Sequence, residues 1–412
     1  MPQAEFPRVL AAEGISNFGS MLSRLAIPWL AALLLQATPA QMAALLLADV
    51  AASAVASLWL GAWVDRSGKR RVMLLADGAR CVVLGVVALA ASQRWLGMAT
   101  LVVAAALGGV LTAAFELARS AWMAQRVAAA DLPRRNAQLA ATGSLSEAAA
   151  FALGGWLYQA LGAVLALALD AASYAASAAC LRGVPEVPGA APAVPAARAP
   201  QAAWRTLLDE ALQGLRAVAA HPALRALAAI EALTALAMAL AGTGYMIFVA
   251  RDLGLPTGVQ GMVFALGGLG SVLGASLAPR LGRRVGPGRA MALGLALAAL
   301  GAACVPLAAS PGALAIMLLV AQQIVGDGGH TLYMVHGQTL RQTAVPVALV
   351  ARTDAGIRTT GHLGTLAGAL AGAVVGSAFD ARSVLWLAAA ALAAAAGLAA
   401  TCLAERRGQV RA

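Results

Sequence analysis

Carboxylates are scarce in this chain: 18 Asp and Glu among 412 residues, with only 11% of positions charged at all. A water-soluble globular chain carries about 25% charged residues, so this composition cannot furnish a solvated surface. Cys81, Cys180, Cys304 and Cys402 all fall inside apolar stretches at unrelated spacings, which implies neither a disulfide framework nor a metal cluster. No phosphate-cradling glycine loop, metal-ligand pattern or nucleophile elbow occurs, so ATP hydrolysis and ordinary enzyme chemistry have no footing and no cofactor is expected. The N-terminus lacks the basic start and small-residue cleavage site of a secretory signal, so the first helix is expected to be retained.

What is there is apolar. Hydrophobic residues make up 61% of the chain and the mean hydropathy is +0.79. A membrane-crossing helix needs about 20 apolar residues, and the sequence breaks into about twelve such runs: 11–34, 41–64, 72–92, 97–118, 137–160, 162–182, 223–249, 257–279, 289–309, 312–336, 353–377 and 383–403. A membrane β-barrel would alternate apolar and polar residues, which LALALDAASYAASAACL does not. The expectation is an all-α membrane protein.

The net charge of +11 raises the possibility of nucleic-acid binding, and the positions of the cations argue against it. Arg8, Arg66, Lys69, Arg70, Arg71, Arg126, Arg134, Arg135, Arg198, Arg205, Arg216, Arg283, Arg284, Arg289, Arg341, Arg406 and Arg407 lie where odd-numbered runs begin and even-numbered runs end. The opposite loops hold little beyond Arg94, Arg251 and Arg382. By the positive-inside rule both termini face the cytoplasm, and nucleic acid is not an expected partner.

A Pro- and Ala-rich stretch, GVPEVPGAAPAVPAARAPQAA, divides six runs from six. It implies an N-terminal bundle at 1–182, a cytoplasmic linker at 183–221 and a C-terminal bundle at 222–412. Within the linker, Trp204, Leu207, Leu208, Leu212, Leu215 and Val218 recur at helical spacing, predicting an amphipathic helix over 203–219 on the membrane surface. A weak repeat supports the division: GASLAPRLGRR (274–284) ends the eighth run as GAWVDRSGKRR (61–71) ends the second. Two such halves in parallel register are the architecture of many secondary transporters, with solute handled between them.

In GAWVDRSGKRR, Gly61 admits a close helix, Asp65 can cap a helix or pair with Arg, and Gly68 permits a tight turn. Arg66, Lys69, Arg70 and Arg71 can bind Asp65 or lipid phosphates. The stretch resembles the signature after the second helix of the major facilitator superfamily, roughly G-x-x-x-D-R-x-G-R-R-R. ISNFGSMLSRLAIPWL, LLADGARCVVL, ARSAWMAQRV, LALDAASYAASA and GLRAVAAHPALRAL are similar to the bacterial group that includes enterobactin exporters and macrolide efflux proteins. The resemblance implies an inner-membrane transporter of two pseudo-symmetric six-helix bundles, working as a monomer by alternating access, with Asp65 and its basic neighbours as a cytoplasmic latch. One departure is local: Ala150 and Phe151, followed by Gly154 and Gly155, stand where drug antiporters carry Gly-Pro.

Ionisable groups inside a membrane span cost about 2.5–3.5 kcal/mol on insertion scales, so each needs a partner, water or a function. Arg24 and Asp49 share a depth in the first two runs, either as a structural pair or as a substrate or proton site. Glu231, Gln323, Asp327, His330 and His362 fall near mid-membrane in the second half, with Tyr333 and Tyr245 able to add hydrogen bonds. Glu147 is placed with the same cavity. Such carboxylates and imidazoles can exchange protons as access alternates. Asp77, Arg80 and Asp170 are expected to secure helix packing, Asp354 and Arg358 to pair along their helix, and Gly364, Gly368, Gly372 and Gly376 to form a packing stripe, with Gly267, Gly268, Gly270 and Gly274 serving likewise. The resulting expectation is proton-coupled efflux of a small amphipathic drug or siderophore. Import of a siderophore or metabolite, and a non-transporting receptor or scaffold, are the alternatives.

Overall fold

The structure is a computed structural model that describes residues 5–128, 131–187, 216, 218–343 and 347–403. All but the last part of the amphipathic helix expected at 203–219 therefore lies outside the described residues. So do the side chains of Gly61, Asp65 and Asp354.

Twelve helical runs follow one another, and among the described residues there is no strand. α1 spans Glu5–Trp29 and ends in a π-turn, Leu30–Leu34; α2 is Pro39–Arg66, α3 Lys69–Ser92 and α4 Met98–Arg126. The stretch Leu132–Arg182 is two helices, α5 and α6, broken at Gly162, whose φ of 77° and ψ of 170° need a residue without a Cβ. α7 is Pro222–Ile247 with a π-turn at Phe248–Asp252, α8 Thr257–Val285 and α9 Pro287–Leu307. α10 begins as Ala313–Ala321, widens at Gln322–Gly326 and continues as Asp327–Thr343; α11 is Val347–Ala378 and α12 Ala381–Cys402.

Nine stretches among the described residues are long and apolar enough to cross a membrane, one of which, Ala141–Arg182, runs through the Gly162 break. α1, which carries Glu5, Arg8, Glu13 and Arg24, and α10, which carries Gln323, Asp327, His330, His336 and Arg341, are absent from that set. Several helices also outrun the apolar runs that predict them. α1 starts six residues before 11 and α10 continues seven beyond 336, since a helix continues past the hydrocarbon edge while its side chains find partners.

The chain forms two compact units: residues 1–37, 44–196 and 256–262, and residues 38–43, 197–255 and 263–412. In the first, α1 lies against α5 and α6, while α3 packs on α4 and on the α5–α6 segment. Its buried core includes Phe6, Val9, Met73, Phe115, Trp122 and Leu181. In the second, α7 lies against α11 and α12, and α9 against α10 and α12, around Leu224, Leu227, Ile230, Leu295 and Tyr333. The units also repeat a detail: the π-turns closing α1 and α7 are followed by left-handed residues, Gln36 (φ 51°) and Gly254 (φ 60°).

Glycines set the closest helix contacts. A Cβ on Gly364 or Gly368 would strike the main-chain oxygen of Ala232 or Leu236 on α7, and one on Gly372 would strike Thr243. Gly270 and Gly274 meet the α10 main chain in the same way, whereas Gly268 faces open space. Replacing Gly368 with Val should cost about 1–3 kcal/mol, the usual penalty for forcing atoms into a packed contact. Gly268→Ala should be neutral or mildly stabilising. Thermal unfolding of the two variants in detergent checks the pair, and equal melting temperatures would contradict the contact.

At the start of α12, Asp380 caps the helix by accepting the Ser383 amide at 2.7 Å. Hydrogen bonding from the Ser383 side chain, and then from its amide, favours the ionised carboxyl and holds its pKa below the usual 3.8. A depressed acid stabilises the folded state above its unfolded pKa and loses that contribution as pH falls through its folded value. Asp380→Ala should therefore cost about 1 kcal/mol or less near neutrality, because the site is exposed. The variant's melting deficit should shrink as pH is taken below the ordinary carboxylate range.

Candidate functional site

The densest constellation of the expected site residues lies within the second unit, where α10 passes between α8 and α9. Its local sequence, QQIVGDGGH, explains the conformation. Gly326 meets Gly301 of α9 with no side chain on either, Gly329 meets Gly294, and Gly328 meets Gly270 of α8. Pinned on both sides, the helix takes up an extra residue in the π-turn Gln322–Gly326 immediately before Asp327. The widened turn aims Gln323 and Asp327 at α8, where Gly267 leaves room: a Cβ there would touch Asp327 Oδ2 and come within 3.4 Å of Gln323 Nε2. Gln323 is buried, and Tyr245 of α7, its ring tilted against that of Phe264 of α8 at 5.5 Å between ring centres, lies within electrostatic reach of Asp327. Among the described residues no cation lies within ion-pair distance of Asp327.

One turn away the arrangement changes. Glu231 of α7 accepts the Tyr333 hydroxyl at 2.8 Å and pairs with Arg341 at 3.1 Å, both from α10. The His330 ring is tilted over Tyr333 at 6.0 Å, and its buried Nδ1 has no hydrogen-bond partner. This stretch of the second unit thus places one carboxylate closed by a guanidinium and a phenol near another that, among the described residues, is left without a paired cation. His362 is exposed, one residue past Gly361, whose missing side chain lies over the Glu231 stem.

The first unit distributes its charges differently. Arg24, Asp49 and Glu147 are exposed. Arg24 acts electrostatically on Asp49 without reaching ion-pair distance, and Asp49 packs its main chain against Gly109 of α4. Asp77, Arg80 and Asp170 are instead buried together. Arg80 pairs with Asp77 at 3.4 Å and donates to the Leu111 carbonyl, its guanidinium 5.1 Å from the rings of both Phe115 and Tyr174. Ser177 donates to Asp77 at 2.7 Å, and Ser173 donates to Asp170 at 3.2 Å. Two further pairs join α1 to α4, Glu5 with Arg126 at 2.7 Å and Glu13 with Arg119. Downstream, Gly154 packs on Leu22 and Leu25 of α1, and Gly155 admits the main chain of residues 257–261, which belong to this unit.

The GAWVDRSGKRR turn is built as two helix caps. Lys69, almost wholly buried, donates its ammonium to the carbonyls of Val64 (2.6 Å) and Ser67 (3.2 Å), closing the C-terminal end of α2. Glu186, from the segment after α6, accepts the amides of Arg70 (3.0 Å) and Arg71 (3.2 Å), capping the first turn of α3. Gly68 is extended, φ −64°, rather than in a tight left-handed turn; a Cβ there would lie 2.7 Å from the Glu186 carboxylate. Arg66 and Arg71 are exposed, and Arg70 is half-buried. Glu186, Glu5, Glu13 and the inward role of Arg341 escape a reading of the sequence. For the first helix a signal exists: acids eight apart on α1 and bases seven apart on α4 match across antiparallel helices.

The profile described as Major Facilitator Superfamily matches residues 9–353 and again 227–412. The chain belongs to the major facilitator superfamily. It is a membrane transporter of that fold. Among solved structures it is similar to the nucleoside transporter NupG, at 17% identity and a TM-score of 0.72 over 96% of this chain and 98% of that one. It is also similar to a bacterial homologue of the iron transporter ferroportin in an inward-facing state, at 17% identity and a TM-score of 0.71 over 96% and 97%. A third is the POT family transporter PepTSo, at 15% identity and 0.68 over 97% of both chains. At these identities the likeness establishes the fold alone. No curated protein sequence matches the chain.

Proposed function

We propose that this transporter couples proton movement to the export of a small amphipathic compound, a drug or a siderophore, with Asp327 as the acid that takes up and gives up the proton. The observation that carries the reading is the contrast within the second unit. Glu231 is held by Arg341 and Tyr333, while Asp327 sits after a glycine-pinned π-turn beside Gln323, within electrostatic reach of Tyr245, and has no cation paired to it among the described residues. An acid in a membrane span without a counter-charge costs free energy, and service to a proton or a solute accounts for its presence. His330, with a buried ring nitrogen lacking a hydrogen-bond partner, supplies a second group for proton or solute contact. Two bundles moving alternately about a midplane site supply the route. The distribution of cations supports both termini in the cytoplasm, and the resemblance to bacterial exporters supports residence in a bacterial inner membrane.

Direction is tested with everted membrane vesicles. An imposed proton gradient should drive uptake of at least one labelled drug or siderophore into vesicles containing the protein and not into vesicles lacking it. Gradient-driven uptake appearing only in right-side-out vesicles would replace export with import.

A further inference from the structure

A groove of about 430 Å³ opens on the outer surface of the second unit, along the seam between the first turns of α7 and the last turns of α12. Pro222, Ala226, Ala229, Leu398 and Cys402 line it, and the groove exists because two of the α7 positions facing α12 are alanines. The one charged lining residue is Arg225, which is exposed and has no carboxylate within 4 Å among the described residues. The groove's depth identifies its surroundings. The apolar stretch of α7 begins at Pro222 and that of α12 ends at Cys402, so Arg225 stands where hydrocarbon gives way to lipid headgroups. Arg216 and His221, a little upstream, add to the basic character of this edge.

We propose that this groove is a binding site for an anionic phospholipid. The headgroup phosphate is held by the Arg225 guanidinium, whose planar fork of N–H donors matches phosphate oxygens, and the upper part of one acyl chain lies over Ala226, Ala229 and Leu398. An apolar furrow with a cation only at its headgroup end has the polarity of a lipid and not that of a soluble anion. The excess positive charge nearby selects anionic over zwitterionic headgroups. The site is independent of the coupling mechanism.

Cys402 is exposed in the groove wall and serves as the reporter. The full-length protein is reconstituted in vesicles of phosphatidylcholine alone or with phosphatidylglycerol and treated with an uncharged maleimide; modification at Cys402 is then followed by mass spectrometry. Phosphatidylglycerol should slow modification several-fold in the native sequence, and Arg225→Gln should remove that protection in the same membranes. This comparison separates a bound lipid from the general effect of a negative surface on thiol reactivity. Ala229→Trp, which fills the furrow, should slow modification whatever the lipid. Equal rates in the two membranes, protection that survives Arg225→Gln, or the same protection from inorganic phosphate in phosphatidylcholine vesicles would each overturn the proposal.

Discussion

Replacing Arg80 with Met should destabilise the first unit by about 3–5 kcal/mol, the cost of leaving a buried charge without its partner. The expectation rests on how completely the surroundings are closed. Asp77 and Asp170 have no exposed surface and Arg80 has 6%. Among the described residues Arg80 is the single cation in direct contact with Asp77, and its field also reaches Asp170. Methionine keeps the apolar stem but ends near the position of Nε, so the loss combines the missing charge with the packing of the guanidinium between Phe115 and Tyr174. The Ser177 and Ser173 hydroxyls still donate to the two carboxylates, but a hydrogen bond alone does not replace a counter-charge in so dry a place. Adding Asp77→Asn to Arg80→Met should recover part of the loss, because the second substitution removes one of the stranded charges. Thermal unfolding of the two variants in detergent decides it. A native melting temperature for Arg80→Met would show that the cluster is wetter than its burial implies.

The same residues indicate how far the sequence could be read. Asp77 and Arg80 can be assigned to helix packing because an acid and a base one turn apart inside an apolar run have an obvious use, whereas the assignment of Asp170 rests on the family resemblance. The crossing helices were legible for the simple reason that lipid demands long apolar stretches, and the Gly364–Gly376 stripe because helical periodicity puts every fourth residue on one side. What sequence hides is partnership between distant segments. Glu186 caps α3 across 115 positions, from a segment that composition marks only as the start of a linker. Glu5 is obscured because the first apolar run starts six residues after it, and Glu13 because it stands near the edge of that run; the helix begins at Glu5, and their partners are Arg126 and Arg119. Arg341 was counted with the cations of the membrane edge, yet α10 carries it back onto Glu231. At α10 itself, Asp327 and His330 stood out as charges in a span, while the π-turn that positions them depends on glycine contacts with α8 and α9 that no single helix reveals.

Asp327→Asn should abolish gradient-driven transport while the protein remains folded. The amide is nearly isosteric, Gly267 leaves room for either side chain, and among the described residues no ion pair is broken by the change. Glu231→Gln is a different experiment, because it leaves the Arg341 guanidinium without its carboxylate and should lower stability as well as transport. The two variants therefore separate a residue that carries a proton from one that holds α7 to α10.

The most direct measurement uses proteoliposomes in which solute movement is followed twice, once driven by an imposed proton gradient and once as exchange of labelled for unlabelled solute with no gradient. Asp327→Asn should reduce the gradient-driven flux to that of protein-free liposomes while exchange continues, since alternation with bound solute needs no net proton transfer. If the variant still accumulates solute against its concentration gradient when protons are supplied, Asp327 is not the coupling acid and the account of the second unit fails.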